Sequence, residues 1–193
     1  DNKHTKAIEY FRKVDFPALT QVQQSEAHFK WGYSHFNLRQ LDEALVQFNF
    51  VKNQTNAFSP AANYYAGFIE YSKGLYTEAL ADLKKAENNA SYASIVPYLI
   101  ANVYYKQRRY DELLDYTGSL KNRTGLQNTR DISMLAAEAH YFKGDYQKAA
   151  DAYEAFLEEN PGRAEGPVLF RAGYANYALN KNEKAISYLS KSA

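Results

Sequence analysis

Histidines and clustered acids are the residues of this chain whose types could do chemistry. His28 and His35 lie seven residues apart on one helical face, and His140 stands in a context equivalent to that of His35. A zinc site would need a third ligand and an open coordination position, and no carboxylate shares the face of His28 and His35. The histidines therefore read as structural. Acid–base catalysis would need a carboxylate pair held in a pocket. Asp42-Glu43, Glu78 and Asp111-Glu112 instead open amphipathic segments, where negative charge complements a helix dipole. GxxxxGK[ST], GxGxxG and HExxH motifs are all missing. The chain has no cysteine, which excludes disulfide and thiolate chemistry and leaves the redox compartment open. Asn-x-Ser/Thr sequons at Asn53, Asn89 and Asn122 matter only in a eukaryotic secretory protein and are discounted. No catalytic residue, metal ligand or cofactor is expected.

The distinctive chemistry is aromatic. Eighteen Tyr and 11 Phe stand against one Trp and one Met among 193 residues. Tyrosine brings apolar area with a polar tip, which suits both helix packing and a wet binding surface. Formal net charge is +1, from 23 basic and 22 acidic residues, so no field steers nucleic acid or coats an anionic membrane. No apolar run approaches the roughly 18 residues of a membrane span, and no basic-then-apolar leader opens the chain. Asp1 begins on what reads as the second half of a helical hairpin, so the chain is expected to be a fragment of something longer.

The elements that position these aromatics repeat. Ala61–Ala86 reads as two amphipathic helices joined by Lys73-Gly74-Leu75, with Ala66 and Gly67 among Tyr64, Phe68 and Tyr71. A hairpin this short needs copies of itself to bury that surface. Ala7, Ala44, Ala79, Ala149 and Ala185 stand in equivalent contexts, with Leu113 in the remaining slot, at spacings of about 34 to 37 residues. Twelve residues before each of the last five points comes a small residue: Gly32, Gly67, Ala101, Ala137 or Gly173. At that fixed offset they let paired helices cross closely. The pattern predicts a helix over 3–14 without its partner. Pairs then follow over 18–38 and 41–53, 60–73 and 76–88, 95–107 and 110–120, 128–143 and 146–159, and 165–179 and 182–192. Pro17 suits a helix start, and Pro161-Gly162 is expected to stop the fourth unit. In the third unit Leu113 replaces the small residue and Thr117-Gly118 stands where an aromatic is expected. That unit should pack loosely against the fourth and bend the array.

The register resembles the tetratricopeptide repeat family, whose unit is a helix–turn–helix of about 34 residues. Ala137, Ala149, Tyr153 and Pro161 match its pattern in the fourth unit, and Gly32, Ala44 and Phe48 in the first. The resemblance implies an all-α, right-handed α-solenoid of about five repeats plus an orphan N-terminal helix. It would form a single domain over 1–193, with repeats near 25–58, 60–93, 94–127, 130–163 and 166–193. It also implies that first helices line a concave face. There the fifth, ninth and twelfth positions give Phe29, Tyr33, Phe36, Tyr64, Phe68, Tyr71, Tyr98, Asn102, Tyr105, Tyr141, Phe170, Tyr174 and Tyr177, with Met134 and Glu138 completing the rows. Tyrosine is ordinary at the fifth and twelfth positions and partly packs there. Aromatics at the ninth, in three of five units, exceed what packing requires.

The family's clamp for chaperone C-termini needs Lys at the fifth and Asn at the ninth position, with Asn at the sixth position of the next unit. Here Asn102 follows Tyr98 and precedes Leu135, so that partner is not expected. Lys30, Lys106 and Arg171 lie on separate units and do not form one anion site. The expected function is a non-enzymatic interaction scaffold holding a peptide or protein segment in an aromatic-lined concave groove. Partners are expected to exclude nucleic acid and direct membrane insertion. Two alternatives stay open: a carbohydrate- or small-ligand-binding module, and a regulatory or oligomerisation arm of a larger enzyme. The last two units are also similar to repeats of bacterial envelope proteins, through Tyr153, Phe156, Leu157 and Pro161. That likeness favours the bacterial periplasm over the cytoplasm.

Overall fold

The computed structural model describes residues 2–160 and 165–192, which form eleven α-helices and no strand. They are α1 (Asn2–Phe11), α2 (Gln21–Asn37), α3 (Leu41–Val51), α4 (Ser59–Ser72), α5 (Tyr76–Ala86), α6 (Val96–Lys106), α7 (Tyr110–Ser119), α8 (Thr129–Phe142), α9 (Tyr146–Glu159), α10 (Gly166–Ala178) and α11 (Asn182–Leu189). Two compact units divide the chain, one running to Ile100 and the other starting at Ala101. Pro161 and Gly162, expected to end a repeat, lie outside the described residues.

Each hairpin turn solves the same problem in the same way. The chain must reverse between two antiparallel helices within a few residues, and a single left-handed residue does it. Arg39, Gly74, Arg108, Gly144 and Asn180 occupy equivalent positions with φ of 61°, 76°, 56°, 77° and 60°. Glycine adopts this conformation freely, whereas arginine is strained in it. The paired helices then cross where the small residues stand. A Cβ on Gly32 would meet Phe48 Cε1 at 3.0 Å, on Gly67 Leu83 Cγ at 2.8 Å, and on Gly173 Leu189 Cγ at 2.7 Å. The bulky partner is thus supplied by the second helix of the same hairpin.

In the first unit Ala44, Phe48, Val51, Ala62, Ala66 and Ile69 form a core, with Phe29, Phe36 and Tyr65 packed on it. In the second unit Ala137, Ala149, Ala150, Tyr153, Ala172 and Ala175 do so, beneath Met134, Tyr141 and Tyr188. Acidic first turns occur as expected at Asp42-Glu43, Glu78 and Asp111-Glu112. The start of α2 differs from expectation. Pro17 sits in a 3-10 turn at Phe16–Ala18, and the α-helix begins only at Gln21. Thr20 wins because it builds a capping box with Gln23, satisfying donors that proline leaves open. α7 stays helical through Thr117-Gly118. A cleft of about 320 Å³ lies beside it, lined by Thr117, Leu120, Ile132 and Ala136 among others.

Candidate functional site

The first helices of the hairpins carry the candidate residues: α2, α4, α6, α8 and α10. In the first unit they converge on Tyr65, which the sequence reading passed over. Tyr33 meets it edge-on with ring centroids 5.6 Å apart, Tyr64 at 5.1 Å and Phe36 at 5.0 Å. Phe29 stacks on Tyr33 at 6.4 Å, and Phe68 lies 5.9 Å from Phe36. Tyr92, from the connection after α5, stacks on Tyr64 at 4.4 Å. Tyr71 stands apart from this cluster and pairs with Tyr76 at 5.9 Å. Burial, then the neighbouring phenols of Tyr92, Tyr33 and Tyr64, push the Tyr65 hydroxyl up to about 12. Tyr64 and Tyr92 shift the same way, first through burial. These groups stay neutral donors across the physiological range. Tyr33 remains 39% exposed above them.

The second unit adds a charged centre. Glu138, at the ninth position of its repeat, is 5% exposed. Its carboxylate accepts hydrogen bonds from Tyr153 Oη at 2.9 Å, Tyr105 Oη at 3.1 Å and Arg171 Nη1 at 2.6 Å. Four helices, α6, α8, α9 and α10, are tied through one side chain. Burial, followed by the Glu138 charge and hydrogen bond, raises Tyr105 to about 12, and Tyr153 moves the same way. Arg171 also lies over the Phe142 ring at 5.7 Å. Beside this centre Tyr141 and Tyr146 each meet Tyr174, at 5.9 and 5.8 Å. Phe170 and Tyr177 each lie 6.4 Å from Tyr174. Phe170, Tyr174 and Tyr177 are 49%, 39% and 62% exposed. Tyr98 and Asn102 are half-buried on α6.

Three signals therefore escaped the sequence. Tyr65 and Tyr92 were overlooked, and Arg171, read as an isolated cation, is joined to Glu138. The repeat register alone could have found Tyr65, one position beyond Tyr64 on a helix whose neighbours are aromatic. The histidines take structural partners: His28 Nδ1 lies 2.7 Å from Gln47 Oε1 and His35 Nδ1 2.6 Å from Gln40 Oε1. His140 lies 3.6 Å from Asp145, and burial lowers its pKa.

Among known proteins, the tetratricopeptide repeat family profile matches residues 29–94 and 134–193. The TPR repeat-containing protein MJ1428 of Methanocaldococcus jannaschii is 29% identical over 138 residues, which cover 69% of this chain and 23% of that protein. The chain thus spans about a quarter of that relative's length. A solved MamA structure (MSR-1) superposes with a TM-score of 0.68 at 18% identity, covering 89% of this chain and 95% of its own. YrrB, described as a TPR protein with an unusual peptide-binding site, gives 0.71 at 20% identity, covering 98% of this chain and 90% of its own. At these identities the likeness is one of fold. The hairpins with their close crossings and the profile matched over more than half the residues agree, and the chain belongs to the tetratricopeptide repeat family.

Proposed function

We propose that the protein is a non-catalytic interaction scaffold whose tyrosine-bearing first helices hold a peptide or protein segment. The supporting observation is the state of the ninth-position aromatics. Tyr33 rests on the half-buried Tyr65 ring and Tyr174 on the half-buried Tyr141 and Tyr146 rings, yet each leaves about two-fifths of its surface open. A ring held from below and open above is a rigid anchor that loses little entropy on binding. The neutral hydroxyls around Tyr65 offer hydrogen bonds to peptide groups without the desolvation cost of a charge. The peptide-binding site named for YrrB gives a precedent on this fold. A carbohydrate site would call for carboxylates facing the aromatics, and the Glu138 carboxylate is already committed to Tyr105, Tyr153 and Arg171. That favours the peptide reading.

Selection of random peptides on the immobilised protein, followed by calorimetry on the enriched sequences, tests the proposal. Tyr33→Ala and Tyr174→Ala, checked for helicity by circular dichroism, should each weaken binding of the peptide that contacts them by about tenfold, the scale of one aromatic anchor. Enriched peptides that bind both variants as tightly as the parent would refute it.

A further inference from the structure

Helices α3–α4–α5 and α7–α8–α9 stand in the same register of the repeat, yet the grooves they form are filled differently. In the first, Lys52 reaches between two buried carboxylates, with Nζ 3.1 Å from Glu70 Oε1 and 2.5 Å from Asp82 Oδ2. Lys85 stands 3.6 Å from Asp82 on the outer side. Glu70 and Asp82 are each only 3% exposed, so this polar cluster fills the space between α4 and α5, and the open cleft of about 430 Å³ beside it is lined by Lys52, Asn63 and Lys85 themselves. In the second groove the equivalent residues are Lys121, His140, Ala152 and Ala155. Both acids have gone, and alanine stands where Asp82 and Lys85 stood. What remains is an open cleft of about 680 Å³, with Ala136 and His140 on its α8 side and Ala152, Ala155 and Phe156 on its α9 side. It adjoins the apolar cleft beside Thr117, since Thr117, Lys121, Ser133 and Ala136 line both.

The rim says what would fit. Its cations Lys143 and Lys148 are committed to Asp111 and, at 3.1 Å, to Asp145. Asp115, Asp151 and Glu159 also line the cleft, where Asp151 accepts a hydrogen bond from Gln147 Nε2 at 2.8 Å. Against Lys121, these three leave the rim acidic. The floor is apolar and small, the edge negative.

We infer that the α7–α8–α9 groove is a second docking surface, taking a partner segment that lays apolar side chains on Ala136, Ala152 and Ala155 and directs basic residues to Asp115, Asp151 and Glu159. None of the exposed tyrosines Tyr33, Tyr174 and Tyr177 lines it. In the first unit the protein fills this register with its own lysine and carboxylates. In the second unit the partner fills it.

A fluorescein-labelled ten-residue peptide of alternating leucine and lysine is the probe, read by fluorescence anisotropy. The protein should bind it saturably at one site. A serine–lysine peptide and a leucine–glutamate peptide should each bind at least tenfold more weakly. Restoring the plug with His140→Glu, Ala152→Asp and Ala155→Lys together should weaken the leucine–lysine peptide at least tenfold. Asp115→Asn with Asp151→Asn, which keep size and leave the core alone, should weaken it at least threefold; this pair decides the matter if the plugged variant loses its helical circular dichroism. Tyr33→Ala should leave binding unchanged. Equal affinity for the parent and the asparagine variant would overturn the inference. So would equal binding of the serine–lysine peptide, or loss of binding in Tyr33→Ala.

Discussion

Gly67 shows how little room a helix crossing leaves. Alanine is the better helix former by about 1 kcal/mol, yet its Cβ would come within 2.8 Å of the branched Cγ of Leu83. A branch carbon cannot swing aside as a side-chain tip can, and overpacking of a tight core costs about 1–3 kcal/mol. Gly67→Ala is therefore expected to destabilise by about 1 kcal/mol net in urea unfolding, whereas Gly118→Ala, with open space around it, should stabilise. Tyr105 makes a second prediction at this scale. Its folded pKa of about 12 exceeds the ordinary phenol value of 10.0, so the neutral form is the one the fold favours. The stability it contributes is present below pH 10 and is lost as pH rises through about 12. An absorbance titration at tyrosinate wavelengths should show late-ionising phenols, and Tyr105→Phe should remove one of them.

Among the elements, α3, α4 and α5 are joined by a charge cluster that helical periodicity does not reveal. Burial pulls the Lys52 ammonium down, but the hydrogen bonds and charges of Asp82 and Glu70 outweigh it and hold its pKa above the usual value. Burial and the Asp82 charge raise Glu70. Lys52→Met would leave two buried carboxylates facing one another, at a cost of about 3–5 kcal/mol near neutrality. A carboxyl whose folded pKa is raised is favoured protonated, so its contribution is retained at acid pH and lost as pH rises through the folded value. The cost of Lys52→Met should accordingly be smaller at pH 4 than at pH 8 in parallel unfolding titrations. The helices themselves were legible. Val96–Lys106 against an expected 95–107, or Tyr146–Glu159 against 146–159, follow from apolar spacing and small residues that any hairpin of this type must carry. The clusters were not. Lys52, just past the end of α3, and Asp82 on α5, or Glu138 on α8 and Arg171 on α10, lie about thirty residues apart, and only the folded register brings them together. The tyrosine-bearing faces were half legible. Tyr33 and Tyr174 could be read from the ninth position, while Tyr92 enters from a connection outside the repeat pattern.

At the scale of the whole molecule, near-zero net charge argues that binding is decided by local surfaces and not by a general field. The two proposed surfaces should then respond differently to salt. Contacts on the neutral tyrosines should change little between about 50 and 500 mM salt, while the acid-rimmed α7–α8–α9 groove should weaken clearly over that range as screening shortens its reach. Anisotropy titrations of the respective peptides measure both. The central claim is that partner segments lie on the open ninth-position tyrosines. Its most direct test is to replace Tyr33 or Tyr174 singly by a photo-crosslinking amino acid, with Tyr10 and Ile186, which are 72% and 68% exposed, replaced as controls. Illumination with a selected peptide should crosslink it through position 33 or 174 and not through 10 or 186. Crosslinking at the control positions with none at 33 or 174 would contradict the account.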